Sequence, residues 1–202
     1  KLVHEDLVKA MDEPWGESGA DYKFPRSGHP YTHQLESWRT LLDQDPKSVV
    51  VTSGTGSGKT ECFMVPVLSD LARQRANGED MTGVRALFLY PLNALIQSQR
   101  ERLRAWTGSF GGDIRFCLYN GMTPDEVPAD RHRQSPNEVQ DRSSLRAKPP
   151  AILVTNPTML EYMLVRAQDA SILEKSKGKL KWIVLDEAHN YVGSQAAELA
   201  LL

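Results

Sequence analysis

The chain has 202 residues, 40% of them apolar and 25% charged, with a formal net charge of −2. That is an ordinary globular balance, long enough for one domain with a substantial core, or for one domain and an N-terminal extension. No global basicity announces a polyanion, although a local basic stripe would suffice to hold one. No apolar run approaches the ~20 residues of a bilayer span, and the N-terminus lacks a signal-peptide pattern. Cys62 and Cys117 each stand beside a phenylalanine and outside any metal-ligand spacing. They read as buried thiols of a cytoplasmic protein without membrane partners.

Residues 1–30 open with an amphipathic stretch (Leu2, Val3, Leu7, Val8, Met11) and then break into a Pro/Gly-rich loop that holds Trp15, Tyr22 and Phe24. They are expected to form an extension in front of a domain over 31–202. Five short β-rich runs follow: Ser48 to Thr52, Arg85 to Tyr90, Ile114 to Tyr119, Ala151 to Thr155 and Trp182 to Asp186. Helical spacing fills the intervals. Lys59 to Arg75 carries Phe63, Val67, Leu68 and Leu71 at three- and four-residue steps. Ala94 to Trp106 carries Leu95, Leu103 and Trp106, with Arg100, Arg102 and Arg104 read as a solvated face. Pro157 to Val165 has its proline in the first turn, where the missing N–H costs nothing.

Continuous apolar strands alternating with helices predict an α/β three-layer sandwich with a mostly parallel central sheet. Residues 122–150 form a polar insertion between strands. Its Ser135, Pro136, Asn137 and Glu138 have capping-box spacing for a short helix to Arg146, and its basic residues (Arg131, Arg133, Arg142, Arg146, Lys148) read as a mixed-charge surface. The chain begins with Lys1 and stops within a helical run from Ser194 to Leu202, so it is expected to be a piece of a longer protein.

The chemistry concentrates at strand ends. Ser53, Gly54, Thr55, Gly56, Ser57, Gly58, Lys59 and Thr60 lie between a buried apolar run and a helix, the setting of a P-loop. Glycines let backbone N–H groups close around phosphate oxygens, and the helix N-terminus adds its positive dipole end. Lys59 would reach the β- and γ-phosphates and Thr60 would hold Mg²⁺. Ser53 occupies the first glycine position of the general pattern, so the match is not strict. Asp186 and Glu187 follow the last strand at the same carboxyl edge. Alone they would cap a helix. With Lys59 and Thr60 upstream they read as the Mg²⁺ ligand, largely through water, and as the residue that orients or deprotonates the attacking water. His189 would cap, pack, or couple nucleotide state to another element.

Gly56, Ser57, Gly58, Lys59 and Thr60 together with Asp186, Glu187, Ala188 and His189 resemble the superfamily 2 helicases of the DEAD/DEAH-box type. That resemblance implies a RecA-like P-loop NTPase lobe that binds ATP and Mg²⁺ and works on nucleic acid with a second RecA-like lobe of the same protein. Tyr31 and Gln34 resemble the Q motif, whose glutamine reads the adenine edge. Pro91 and Asn93 stand at motif Ia, Asn120 and Gly121 at a glycine turn near the bound strand, and Thr155, Asn156 and Pro157 at motif Ib. The arginine usual in motif Ia is absent, and Asn93 stands nearby instead. The wording is similar to the branch of large bacterial helicases related to MrfA and Hrq-type enzymes. Some of these serve DNA repair and others phage defence of the Druantia or DISARM type. DNA is the expected track ahead of RNA, with defence or repair proteins as further partners.

The residues themselves support the same edge independently, because Pro91, Asn120, Gly121, Asn156 and Pro157 all follow strands. Small polar groups and helix N-termini on one edge suit a track of phosphates. A GTPase, an ABC ATPase, a small-molecule kinase or a regulatory nucleotide-binding module are the alternatives. The sequence lacks an Asn-Lys-x-Asp guanine reader and a Leu-Ser-Gly-Gly-Gln signature. An arginine finger from a second lobe contributes about 10³-fold or more to such reactions. The lobe alone is therefore expected to bind ATP weakly and to turn it over slowly or not at all.

Overall fold

The computed structural model describes residues 1–54, 56–91, 93–193, 196, 197 and 200. Five strands, β1 (Ala86–Leu89), β2 (Phe116–Leu118), β3 (Glu138–Val139), β4 (Ile152–Thr155) and β5 (Trp182–Leu185), form one sheet in the order β3-β2-β4-β1-β5. Every pairing is parallel, so the sheet is wholly and not mostly parallel. Side chains alternate between faces, as the pleat requires. Ala86, Phe88, Phe116, Ile152 and Val154 enter one core. Leu87, Leu89, Cys117 and Leu153 enter the other.

The first core is closed by α1 (Glu5–Asp12), α2 (Thr32–Leu41), α3 (Lys59–Ala76) and α4 (Asn93–Thr107). The second is closed by α6 (Arg142–Ala147), α7 (Pro157–Val165) and α8 (Ala170–Ser176), while α5 (Ala129–Gln134) lies outside both. Residues 1–30 share in the first core, since Leu7, Ala10 and Met11 of α1 are buried there. Trp106 of α4 donates its indole N–H to the Tyr22 carbonyl at 2.8 Å. Both cysteines are buried and unpaired, and burial pushes the Cys117 thiol far above its ordinary range.

One contact shows how α2 is seated on α3. Pro66 lies inside α3 and has no N–H to give the Cys62 carbonyl one turn earlier. The buried hydroxyl of Ser37 donates to that carbonyl at 2.8 Å, and Trp38 donates its indole N–H to the neighbouring Glu61 carbonyl at 2.8 Å. The helix defect is thus where the neighbouring helix docks.

Three expectations are corrected. Residues 48–52 form no strand, and Val50 is 89% exposed. A strand exists only through its ladder, and residues 48–52 pair with none of the five described strands. The helix expected from Ser135 begins at Arg142, where Asp141 accepts from the Ser144 N–H at 2.7 Å. Glu138 and Val139 instead pair with β2 as β3. The three arginines of α4 are not a solvated face. Arg100 and Arg104 each donate at 2.7 Å to the buried carboxylate of Glu138, and Arg102 pairs with Glu61.

Candidate nucleotide and nucleic-acid site

The parallel register brings four strand ends to one edge. Tyr119 donates its N–H to Val154, Tyr90 to Thr155, and Asp186 to Leu89. Asn120, Asn156, Tyr90 and Asp186 therefore emerge side by side. The phosphate loop meets this edge from the N-terminus of α3.

Within the loop, Gly56 (φ 74°) and Gly58 (φ 75°) adopt left-handed backbone, which a side chain would strain. The loop is folded onto itself. Ser53 Oγ and Ser57 Oγ lie 2.6 Å apart, and Ser57 Oγ donates to the Gly54 carbonyl at 2.8 Å. The Lys59 ammonium donates to the carbonyls of Ser53 at 2.9 Å and Gly54 at 2.7 Å. Thr60 is half-buried in the first turn of α3. Thr55, expected in the cradle, lies outside the described residues.

Gln34 is buried, with both ends of its amide engaged. Its Oε1 accepts from the Tyr31 N–H at 2.9 Å, and its Nε2 donates to the Gly58 carbonyl at 3.0 Å. His33 Nε2 lies 3.0 Å from the Ser57 carbonyl, and the exposed Tyr31 ring stacks on the His33 ring at 5.6 Å between centroids. The Tyr31–Gln34 segment thus grips the phosphate loop by its backbone. An alanine methyl at Gly58 would stand 2.4 Å from Gln34 Nε2.

Asp186 Oδ1 accepts from the Glu187 N–H at 2.8 Å. Burial holds the Asp186 carboxyl above the usual carboxylate range and the charge of Glu187 adds to this, while the Glu187 backbone N–H and the Lys59 ammonium pull it back down. Lys59 and Asp186, remote in sequence, are therefore within electrostatic reach. The hydroxyls of Tyr90 and Tyr191 are buried and make no well-aligned hydrogen bond among the described residues. Burial, then the charge of Asp186, raises both phenols, Tyr191 to about 12. Glu187 is the one non-glycine residue with positive φ among those described, at 50°. That left-handed backbone costs roughly 1–2 kcal/mol and turns the chain sharply out of β5. His189 is exposed, 3.4 Å from Glu187 Oε2 through Nδ1.

A groove of about 430 Å³ runs along the same edge, lined by Pro91, Asn93, Gly121, Asn156, Pro157 and Tyr162, with Tyr191 at its side. Asn156 caps α7 by accepting from the Met159 N–H at 2.8 Å and reaches Asn93 Oδ1 at 2.9 Å. Two residues expected to face a bound strand are instead turned inward. Thr155 is buried and donates to the Tyr119 carbonyl at 2.6 Å. Asn120 is buried and closes its own turn onto the Met122 N–H at 2.9 Å. Strand ends in the middle of a sheet have their polar groups claimed by the neighbouring strand or the turn.

Arg146, Tyr119 and the fully buried Asp169 brace this turn from below. The carboxylate accepts from Tyr119 Oη at 2.8 Å and from Arg146 Nε at 2.8 Å. Arg142 donates Nε to the Thr123 carbonyl at 2.8 Å. Arg142 and Arg146 of the insertion thus shape the Tyr119–Gly121 corner. Among the residues that the sequence did not single out, Tyr162 had a signal, because it stands one helical turn from Thr158 on α7. Asp169 and Ser37 had none.

A parallel α/β sandwich with a phosphate loop and an acidic pair at one carboxyl edge defines a P-loop nucleotide-binding domain of the RecA-like type. The DEAD/DEAH box helicase family model matches residues 31–201, and the chain belongs to that family. It is 28% identical to the Druantia protein DruE of Escherichia coli (strain UMEA 4076-1) over 86% of this chain and 14% of that protein. It is 33% identical to the ATP-dependent helicase YprA of Bacillus subtilis (strain 168) over 84% of this chain and 19% of that protein. Among solved structures it is similar to the DUF1998 helicase MrfA bound to DNA and AMPPNP, with a TM-score of 0.65 and 29% identity. That match covers 99% of this chain and 23% of MrfA. The chain thus spans less than a quarter of each of these three relatives.

Proposed function

We propose that this chain is the ATP-binding motor lobe of an ATP-dependent helicase or translocase acting on nucleic acid, with DNA as its track. The observation that carries the reading is the convergence of Lys59 and Asp186 at one sheet edge, beside a groove built from helix N-termini and small polar residues. The donor set fits ATP with Mg²⁺: an ammonium, left-handed glycines that free backbone N–H groups, a first-turn hydroxyl and two adjacent carboxylates. Among the described residues no cluster of three or more His, Cys, Asp or Glu could hold a metal by itself. This accords with an ion that arrives with the nucleotide and keeps much of its water.

Bound ATP·Mg²⁺ would supply a phosphoanhydride whose cleavage releases the free energy for movement. Lys59 would leave the carbonyls of Ser53 and Gly54 to hold phosphate oxygens, joined by backbone N–H groups of residues 54–60. Thr60 and Asp186 would hold the Mg²⁺ hydration shell, and Glu187 would orient the attacking water. Gln34 and Tyr31 would fix the loop's backbone and the base, and His189 would report nucleotide state. Asn93, Gly121, Asn156 and Pro157 would face the nucleic acid in the groove. The likeness to MrfA, whose structure holds DNA, favours DNA, and the likeness to DruE favours a role in antiviral defence.

The direct test is ATP hydrolysis by the full-length protein against single- and double-stranded DNA and RNA. Stimulation by DNA above RNA is expected. Nucleotide binding without stimulation by any of them would favour a regulatory P-loop module instead.

A further inference from the structure

Arg102 lies in the middle of α4, away from the groove and from the phosphate loop in sequence, where helical spacing alone predicts a solvated face. Its guanidinium is in fact enclosed. It lies 5.7 Å from the Tyr22 ring centroid and 5.6 Å from that of Trp106. Its Nη1 is 3.0 Å from Glu61 Oε1, an ionic contact that lacks the alignment of a hydrogen bond. Both partners are mostly buried, with side-chain exposures of 23% and 15%.

Glu61 is placed awkwardly for a phosphate-binding site. It follows Thr60 directly in the first turn of α3, and its other oxygen stands 3.1 Å from where a methyl on Gly58 would lie. A carboxylate there suits the helix dipole when the loop is empty. It would repel a triphosphate held by the same loop and the same helix N-terminus. Its burial leaves water little room to screen it.

We propose that Arg102 is a positioning residue for nucleotide binding, which neutralises and holds Glu61 beside the phosphate loop and is itself held by Tyr22 and Trp106. The inference rests on the nucleotide-site reading above and gives residues 1–30 a part in it. Tyr22 supplies both a ring to the guanidinium and a carbonyl to Trp106, so the N-terminal segment fixes the cation over the loop's carboxylate. The Arg102 charge also reaches Tyr90, whose phenol it lowers against the opposing effect of burial.

The test is the affinity of the full-length protein for ATP·Mg²⁺, measured by calorimetry or with a fluorescent non-hydrolysable analogue. Arg102→Met keeps much of the packing against the two rings and removes the charge. It should weaken binding by about tenfold or more, the scale of one uncompensated unit charge within about 12 Å at an effective dielectric near 20. Arg102→Lys should recover most of the loss. Adding Glu61→Gln to Arg102→Met should restore affinity, because the charge in need of neutralising is gone. A purely structural role would lower Tm in both Arg102→Met proteins and would not be relieved by Glu61→Gln. Unchanged affinity in Arg102→Met, or a loss that Glu61→Gln leaves in place, overturns the inference while the nucleotide-site reading stands. Failure of the unmutated protein to bind ATP·Mg²⁺ overturns both. Should Arg102→Met not fold, Glu61→Gln alone decides: it should bind ATP·Mg²⁺ at least as tightly as the unmutated protein, and weaker binding overturns the inference.

Discussion

Ser37→Ala removes one oxygen from a buried contact and should cost more than a surface hydroxyl would. The Cys62 carbonyl has no helical partner because residue 66 is proline, and Ser37 Oγ fills the vacancy at 2.8 Å. Leaving a buried carbonyl unsatisfied costs about 1–3 kcal/mol. For a chain of this size that is a fall in Tm of roughly 4–8 °C at the middle of the range. The mechanism makes a sharper claim through a double-mutant cycle. Pro66→Ala returns the amide N–H that a helix directs at the carbonyl four residues earlier. In that background Ser37→Ala should cost less by at least about 1 kcal/mol, the coupling expected for groups in contact. Urea or thermal denaturation of the four proteins measures it. Because the same contact seats α2 on α3, and with it Gln34 on the phosphate loop, ATP affinity should fall with Ser37→Ala as well. Equal cost of Ser37→Ala in both backgrounds would refute the account of Pro66.

Lys59→Ala should abolish nucleotide binding in the full-length protein, read by the same binding assay. Glu187→Gln should bind ATP but lose about 10²-fold or more in kcat, the range for loss of a general base; normal turnover would remove Glu187 from that role. Asp186→Asn should stop hydrolysis yet raise the Tm of the nucleotide-free chain at neutral pH. Burial and Glu187 lift the Asp186 carboxyl, so its ionised form is disfavoured in the fold; that penalty is complete above the folded pKa and disappears as pH falls below the unfolded one. The Tm advantage of Asp186→Asn should therefore shrink on acidification through the carboxylate range, and a pH-independent difference would contradict the cause given. Asp169→Ala breaks the buried contact with Arg146 and Tyr119, and should destabilise by about 3–5 kcal/mol and weaken binding to nucleic acid through the Tyr119–Gly121 corner, as measured by denaturation and by DNA anisotropy.

The sequence alone carried the fold class, four of the five strands, the three helices α3, α4 and α7, and the phosphate loop and acidic pair that the fold brings to one edge. Each of these is written in local chemistry: apolar runs of strand length, three- and four-residue periodicity, Pro157 at a helix start, and glycines before Lys59 and Thr60. Such signals survive in one dimension because they concern a residue and its near neighbours. The tertiary structure decided what depends on partners remote in sequence. Residues 48–52 are apolar enough for a strand, but they pair with none of the five described strands. Glu138 became a strand residue where its buried carboxylate meets Arg100 and Arg104 of α4. Thr155 and Asn120 were turned inward by the bonds that neighbouring strands and turns demand. Arg102 left the solvent because Tyr22 and Glu61, both remote in sequence, converge on it beside Trp106 of its own helix. A lone polar side chain is ambiguous until its neighbours are known, since burial makes a partner obligatory and exposure does not; periodicity places a helix face, and only packing shows what that face meets.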